Sequence, residues 1–499
     1  MMRSRLLTLA LLLLGACSLA PDYHAPKMPD VPTYKENISD AADASSPSTA
    51  QWSPAQPSAA DTAPDAWWQV FSDPVLNDLE TQLINANQNL KAAIARYDEA
   101  RANVRAARAG YFPTLTGAAN ATRQQISKSE ANTAPITLYN DTSAGGDLSY
   151  ELDVWGRVRN TVAGAKDRAQ ASAADLTAVQ LSLQAELATD YFTLRGDDTS
   201  QQILDETVKD YQKALELTED RHAGGAATES DVDQAQTQFE NAKTMAEDMR
   251  LQRAQLEHAI AVLTGAPPEN FSLPVATLTE QQAEEKLILI DPGIPSTLLQ
   301  RRPDIAEAER LVAAANADIG VARAAYFPDF TLSGAVGYES TALSNLLKTP
   351  SLFWSIGPDV ATPLFDGGLI AAMSDEARAV YDETVANYRQ TVLAAYQDVE
   401  DNLAAIRQLN KEQNSQAAAT AAAERALTQA QDRYTGGIAT YLDVVVAQNT
   451  ALQAELASVN IRVRQLNAHV QLIRALGGSE PNSAGKTDAK TLSPSQQGA

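Results

Sequence analysis

The sequence has few of the residues that most often build a catalytic or metal centre. It contains one cysteine and four histidines in 499 residues, and His24, His222, His258 and His469 are scattered without the spacing of a zinc site. A lone cysteine also excludes an internal disulfide. No nucleophile elbow, metal-ligand cluster or complete phosphate-binding loop is present, so an enzyme is the least favoured class of protein, and we expect no cofactor.

Basic residues are scarce as well. The chain has 39 Lys and Arg against 63 Asp and Glu, which gives a formal net charge of -24 and a pI near 4.6. Binding to nucleic acid needs clustered basic side chains, so this composition argues against a nucleic-acid partner.

The one strongly apolar run, Leu6 to Leu14, is too short to span a bilayer as a helix. Together with Arg3 and Arg5 before it, this run predicts a secretory signal peptide over residues 1–16. The run ends Leu14-Gly15-Ala16-Cys17, which is typical of a bacterial lipoprotein box. We therefore predict that Cys17 is acylated and becomes the new N-terminus; the alternative is ordinary cleavage with Cys17 unmodified.

Proline is absent from residues 157–221, where leucines and other apolar residues recur mostly at steps of three, four or seven. This period predicts a helix of about 97 Å at 1.5 Å per residue, and a second one is predicted over 369–433. Rods of this length need neighbouring helices along their apolar stripe, and Gly196 marks a possible bend.

Two similar glycine segments follow these rods, Arg221 to Asp231 and Arg433 to Asp443, 212 residues apart. Each pair of glycines predicts the end of one helix, and the threonine after it predicts the N-cap of the next. A Tyr-Phe-Pro segment also occurs twice, at residues 111–113 and 326–328. The chain therefore reads as two repeats of about two hundred residues, each with the order helix, extended pair, long helix, tip, helix.

The extended pairs change from a helical to an alternating pattern. Leu148, Tyr150, Leu152 and Val154 alternate with acids and serine, and a hairpin with residues 114–125 is predicted. A twin follows in the second repeat, with alternating apolar residues from Phe330 to Tyr338 and from Trp354 to Leu364, interrupted by Pro358. Strands of roughly nine to eleven residues cross a bilayer, but four cannot close a barrel, which needs about eight. Several chains must therefore pool their strands, because open edges are not tolerated in lipid.

A first helix is predicted from Pro74, with Asp73 as its cap, to about Ala109. The predicted boundaries, in order, are a signal peptide at 1–16, a lipidated extended tether at 17–65, a first repeat at 66–266, a proline-rich bridge at 267–299, a second repeat at 300–478 and a disordered tail at 479–499.

Several segments together resemble one known family. They are Trp67-Trp68 with Phe71 and Asp73-Pro74, both Tyr-Phe-Pro segments, Arg301 to Ile305, Gly357-Pro358, Pro363 to Gly368, the tip Arg433 to Asp443, and Cys17 to Pro26. This set is similar to that of the outer-membrane efflux factors of the TolC/OprM type, in their lipoprotein branch.

The resemblance implies a mainly helical fold with a transmembrane β part. Three chains would form an α-barrel and a twelve-stranded β-barrel, lipid-anchored in the outer membrane and extending into the periplasm. The partners implied are a periplasmic adaptor protein and an inner-membrane efflux transporter, and the function implied is passive conduction of small molecules such as drugs to the exterior.

The resemblance also implies that Asp443, and secondarily Asp231, line a periplasmic aperture, with Arg433 and Tyr434 holding the tips by salt bridge and hydrogen bond. The alternative is that both aspartates only cap helices, because Thr440 and Thr228 stand three residues before them. Two other functions stay open: an outlet for protein secretion, and a periplasmic coiled-coil lipoprotein without a pore. Alternating hairpins argue against the second.

Overall fold

The computed structural model describes residues 18–28, 31, 33–36, 66–127, 138–278 and 301–478. Its longer helices and strands are α1 (Pro74–Ala86), α2 (Gln88–Ala109), β1 (Thr114–Gln125), β2 (Leu138–Glu151), α3 (Arg157–Ala223), α4 (Glu229–Leu263), α5 (Pro303–Ala324), β3 (Asp329–Ser340), β4 (Leu352–Ala361), α6 (Leu369–Thr435) and α7 (Tyr441–Ala475). The signal peptide, Cys17, most of the tether, residues 279–299 of the bridge and the tail lie outside the described residues.

The two halves have the element order that the sequence predicts. The long helices α3 and α6 each have 67 residues, and α4 and α7 each have 35. Helix α3 continues through Gly196 without interruption. Gly196 serves a different purpose, because a Cβ at this position would lie 2.2 Å from a methyl group of Val463 on α7. The glycine permits close packing of two helices.

The first helical stretch is two helices rather than one. Asp73 caps α1 as predicted, since its carboxylate accepts hydrogen bonds from the backbone N–H groups of Val75 and Leu76. Asn87 then ends α1 with an extended ψ of 130°. Its amide oxygen accepts from the N–H of Leu90 at 2.9 Å and so caps α2. The apolar residues keep a helical spacing across Asn87, so the sequence did not predict this break.

The four strands form one antiparallel sheet in the order β1-β2-β3-β4. Each predicted hairpin is confirmed, but the hairpins are not isolated, because β2 pairs with β3 along Thr142–Glu151 and Thr331–Ser340. Pro358 lies within β4, which is an edge strand of the sheet within this chain. Leu364 lies beyond β4 and is 95% exposed.

The chain folds as two compact units. One contains the sheet and consists of residues up to 27, 96–173 and 307–389; the other consists of 28–95, 174–306 and 390 onward, and contains both tips. The largest apolar core lies in the second unit and includes Trp67, Leu83, Phe192, Ile260 and Val470. No helix among the described residues is both long and apolar enough to cross a membrane.

The described N-terminal residues have no helix or strand, as expected of an extended segment, but they are held in place. In the first unit, Ser18 donates to Asn160 at 2.9 Å, and the hydroxyl of Tyr23 donates to Glu309 at 2.5 Å. In the second unit, the backbone N–H groups of Lys35 and Glu36 donate to the carboxylate of Glu400.

The described part of the bridge, residues 267–278, contains only a short 3₁₀ turn and is fixed by a buried ion-pair network. Asp198 is 1% exposed, and its carboxylate accepts from Arg195 at 3.1 Å, from Arg253 at 2.6 Å and from the backbone of Ala276 at 3.0 Å. The two arginines also donate to backbone carbonyl groups of residues 273 and 274. This network attaches the bridge to α3 and α4.

Candidate functional sites at the helical tips and on the sheet

The two tips have the same backbone structure. Gly225 and Gly437 adopt positive φ angles of 74° and 75°, which favour glycine. In each tip the N–H group of the next residue donates to the carbonyl five positions earlier, from Ala226 to Arg221 at 2.7 Å and from Ile438 to Arg433 at 2.8 Å. These are Schellman motifs that end α3 and α6, as the glycines predict.

Each following helix begins at the predicted threonine. Asp231 accepts from the N–H and hydroxyl of Thr228, and Thr228 accepts from the N–H of Asp231 at 3.2 Å, which completes a capping box. Asp443 likewise accepts from the N–H of Thr440 at 3.0 Å and from its hydroxyl at 2.9 Å. Hydrogen bonds from Thr440, with a smaller contribution from Arg433, lower the pKa of the Asp443 carboxyl. Asp443 is exposed and Asp231 is partly exposed, so the capping role leaves both in contact with water.

The tips contact each other through Tyr434. The guanidinium carbon of Arg221 lies 4.4 Å from the centre of the Tyr434 ring, and Arg221 also donates to the Tyr434 carbonyl at 3.3 Å. The ring packs on Tyr441 with centres 5.4 Å apart. Tyr434 therefore joins the two tips through its ring rather than its hydroxyl, which is buried with no partner among the described residues. Arg433 is exposed, and no acid in the described part of this chain forms an ion pair with its side chain.

The sheet has two chemically different faces. Side chains alternate between the two faces along each strand. The pairing places all acids of the four strands on one face, called the acidic face: Asp141, Asp147, Glu151, Asp329, Glu339 and Asp359. The opposite face is apolar over β3 and β4, with Phe330, Leu332, Val336, Tyr338, Leu352, Trp354, Ile356 and Val360. Its one charged residue in the strands is Arg123. Trp354 and Ile356 are 71% and 66% exposed, so no residue in the described part of the chain covers the apolar face there.

Two residues at the end of β2 represent the faces poorly. Glu151 lies on the acidic face, but it forms an ion pair with Arg157 and is not a free carboxylate. Leu152, part of the alternating apolar pattern of the sequence, lies just beyond β2, where its N–H donates to the carbonyl of Phe330 at 2.7 Å. Asp147 and Val336 are therefore better representatives of the two faces.

A cavity of about 440 Å³ lies where β2, β3 and β4 meet their adjoining helices. Trp155 and Phe327 stack beside it with ring centres 4.6 Å apart, and the Trp155 indole donates to the carbonyl of Pro328 at 2.9 Å. Phe327 of the second Tyr-Phe-Pro segment thus has an aromatic partner in the chain and is 38% exposed, whereas Phe112 of the first is 70% exposed.

Sequence reasoning missed several buried ionisable side chains besides Asp198 and Arg195, among them Arg302 and Glu80. Arg302 lies within the segment Arg301 to Ile305, and its guanidinium donates to Asp398 on α6 at 3.1 Å and to the Ala475 carbonyl at the end of α7 at 3.3 Å. Glu80 is 0% exposed, and neither of its carboxylate oxygens has a hydrogen-bond partner in the described part of the chain. Burial raises the pKa of Glu80 to about 9. The sequence did contain a signal for this burial, because Glu80 stands four residues after Leu76 and therefore lies on the apolar face of α1.

The chain matches the family described as "Outer membrane efflux protein" over residues 79–266 and 294–478. It is 33% identical over 482 residues to the antibiotic efflux pump outer membrane protein ArpC of Pseudomonas putida, which covers 96% of each chain.

Solved structures are similar too. The CmeC outer membrane channel of Campylobacter jejuni superposes with a TM-score of 0.80 at 25% identity, over 94% of this chain and 96% of that one. The open state of the Neisseria gonorrhoeae MtrE outer membrane channel gives a TM-score of 0.75 at 28% identity, over 92% and 98%.

Proposed function

Because the chain belongs to the outer membrane efflux protein family, we propose that three copies assemble into one passive channel in the outer membrane. The protein is the outer-membrane component of an efflux pump. In our proposal, each copy contributes its four strands to a twelve-stranded barrel, and the long helices form an α-barrel in the periplasm. A periplasmic adaptor and an inner-membrane transporter deliver small molecules, and the relative ArpC, named for antibiotics, suggests drugs as cargo.

The observation that carries this proposal is the two-faced sheet with two unpaired edges. Both β1 and β4 end the sheet within this chain. In lipid an unpaired edge is costly, because no water can satisfy its N–H and C=O groups. An even number of antiparallel strands leaves β4 antiparallel to β1 of the next copy, so identical chains can close a ring without changing strand direction. The apolar face then contacts lipid and the acidic face lines the lumen.

The number of copies rests on the family resemblance, since the sheet by itself requires only that strands be pooled. Mass measurement of the detergent-solubilised protein under native conditions tests it, with a channel of three chains as the expected result. The same preparation should conduct ions in a planar bilayer. A folded monomer that conducts would refute pooling of strands between chains.

At the periplasmic end, we assign Asp443 and, secondarily, Asp231 to the aperture. The position of both carboxylates at the tips, with Asp443 exposed and Asp231 partly exposed, supports this assignment. The capping hydrogen bonds of Asp443 do not compete with it, because they favour the ionised carboxylate. Tyr434 holds the two tips of one chain together, and Arg433 remains exposed for contacts with another copy.

We further assign an acyl anchor to Cys17. A single acyl chain binds a membrane only marginally, so multiple acylation is needed for firm anchoring. Cys17→Ser should abolish metabolic labelling with a fatty acid while some assembled channel remains, because the barrel holds the protein in the membrane independently. Labelling that persists in the variant would contradict the assignment.

A further inference from the structure

The turn between β4 and α6 exposes two large apolar side chains in a fixed conformation. Leu364 and Phe365 are 95% and 93% exposed. The next residue, Asp366, caps α6 by accepting from the N–H groups of Gly368 and Ile370, each at 2.9 Å. Gly367 and Gly368 have positive φ angles of 65° and 91°, which few other residues adopt. A capped turn that keeps apolar side chains in water indicates a surface that another molecule covers.

The same chain shows what contacts the equivalent turn of the first repeat. Trp155 lies four residues after the last residue of β2, and its ring stacks on Phe327, which lies two residues before β3. Strands β2 and β3 are neighbours in the sheet. The aromatic residue that follows β2 therefore packs on the Tyr-Phe-Pro segment that precedes the neighbouring strand β3.

Phe365 and Phe112 occupy the corresponding positions in the other pair of strands. Phe365 lies four residues after the last residue of β4, and Phe112 lies two residues before β1. Register brings the end of β4 and the start of β1 to the same end of the sheet, since Asp329 pairs with Ala361 and Thr114 with Ser149. Within one chain, however, β4 and β1 are at opposite edges, so the two rings cannot meet.

We propose that Phe365 of one copy packs on the Tyr-Phe-Pro segment, residues 111–113, of the next copy, as Trp155 packs on Phe327 within the chain. This contact rests on the proposed ring of copies, in which β4 pairs with β1 of the neighbour. It gives the two signatures, Tyr-Phe-Pro and Pro-Leu-Phe-Asp-Gly-Gly, a shared role: they seal each junction between copies where the strands meet the helices. The occupant of the exposed turn is a second copy of this chain and not lipid.

Oxidative cross-linking of a double variant, Phe112→Cys with Phe365→Cys, tests the contact. Because a bond between these positions joins two chains, we expect covalent dimers and trimers on a denaturing gel. Each single variant should give no ladder, because the contact joins two different positions. Parent protein, which retains Cys17 like all the variants, shows whether that residue forms a ladder by itself. As a matched control, Trp155→Cys with Phe327→Cys should lose its free thiols without any increase in mass.

A second measurement avoids the loss of two aromatic side chains. An aromatic photo-cross-linker in place of Phe365 should attach to the tryptic peptide 109–123 of another chain, identified by mass spectrometry. Native mass measurement of each sample separates the two proposals. Assembled trimers without the ladder and without the cross-linked peptide would overturn the contact and leave the ring intact, as would attachment to lipid alone. A conducting monomer would overturn the ring itself.

Discussion

Glu80 should make the stability of the protein fall as pH rises from acid to alkaline, and Glu80→Gln should remove this dependence. The carboxyl group is sealed among the leucines of α1 and the helices around it, with no hydrogen-bond partner in the described part of the chain. A neighbouring copy cannot reach a side chain that is 0% exposed within its own chain. Burial in these surroundings favours the neutral form.

The magnitude follows from the two pKa values. Glu80 has a pKa of about 9 in the folded chain against 4.5 for an ordinary glutamate. The folded state therefore holds a proton that the unfolded state loses above 4.5, so the stabilising effect of protonation is complete below pH 4.5 and is lost as pH rises to about 9. Each pH unit in this window costs about 1.4 kcal/mol, which gives about 3 kcal/mol at pH 7.

Glutamine has a similar shape and stays neutral at all these pH values. The variant should therefore melt at a higher temperature than the parent at pH 7 and 8.5, with the two converging near pH 5. Thermal melting of the detergent-solubilised protein by circular dichroism measures this difference. Asp78→Asn, an exposed acid on the same helix, is the control and should leave the pH profile unchanged. Parallel profiles for Glu80→Gln and the parent would refute the reasoning.

Three further predictions concern other parts of the molecule. Val336→Arg places a charge on the apolar face near the middle of β3 and should cost about 2 to 4 kcal/mol, measured as loss of assembled channel. The control Ala335→Arg places the charge on the acidic face, so this variant should assemble and show a reduced cation preference. Equal assembly of the two variants would contradict the assignment of faces. Asp443→Asn should lose cation preference or block by divalent ions in single-channel recording with little change in melting, whereas lost stability with unaltered conductance would leave a capping role alone. Asp198→Ala leaves the buried Arg195 without its acid and removes one of the two acids that pair with Arg253, so it should cost about 3 to 5 kcal/mol in unfolding free energy. Asp205→Ala removes an exposed ion pair on the same helix and should cost less than about 1 kcal/mol. Equal losses would contradict the role of burial.

The sequence by itself determined the secondary structure and its repetition, because these depend on local chemistry. Apolar residues that recur with a period of 3.6 predicted the helices, and a period of two predicted the strands. Glycine and threonine at the tips predicted where helices end and begin. A capping aspartate, a proline and a left-handed glycine act within a few residues of themselves. Their effects can therefore be read without knowledge of the partner elements, and the caps at Asp73, Thr228 and Thr440 were predicted correctly for this reason.

Tertiary structure decided whatever depends on residues far apart in the chain. Only the register between β2 and β3 joins the hairpins into one sheet and collects the acids on one face. The need for glycine at position 196 follows from the close packing of α7 against it. Asn87 divides two helices in a stretch whose apolar spacing is continuous. The burial of Glu80 and Asp198, and the contact of Arg302 with α6 and α7, arise from helices brought together across more than forty residues of sequence. Composition cannot reveal such contacts, since the same acid or arginine on a solvated face would have no partner and no shifted pKa.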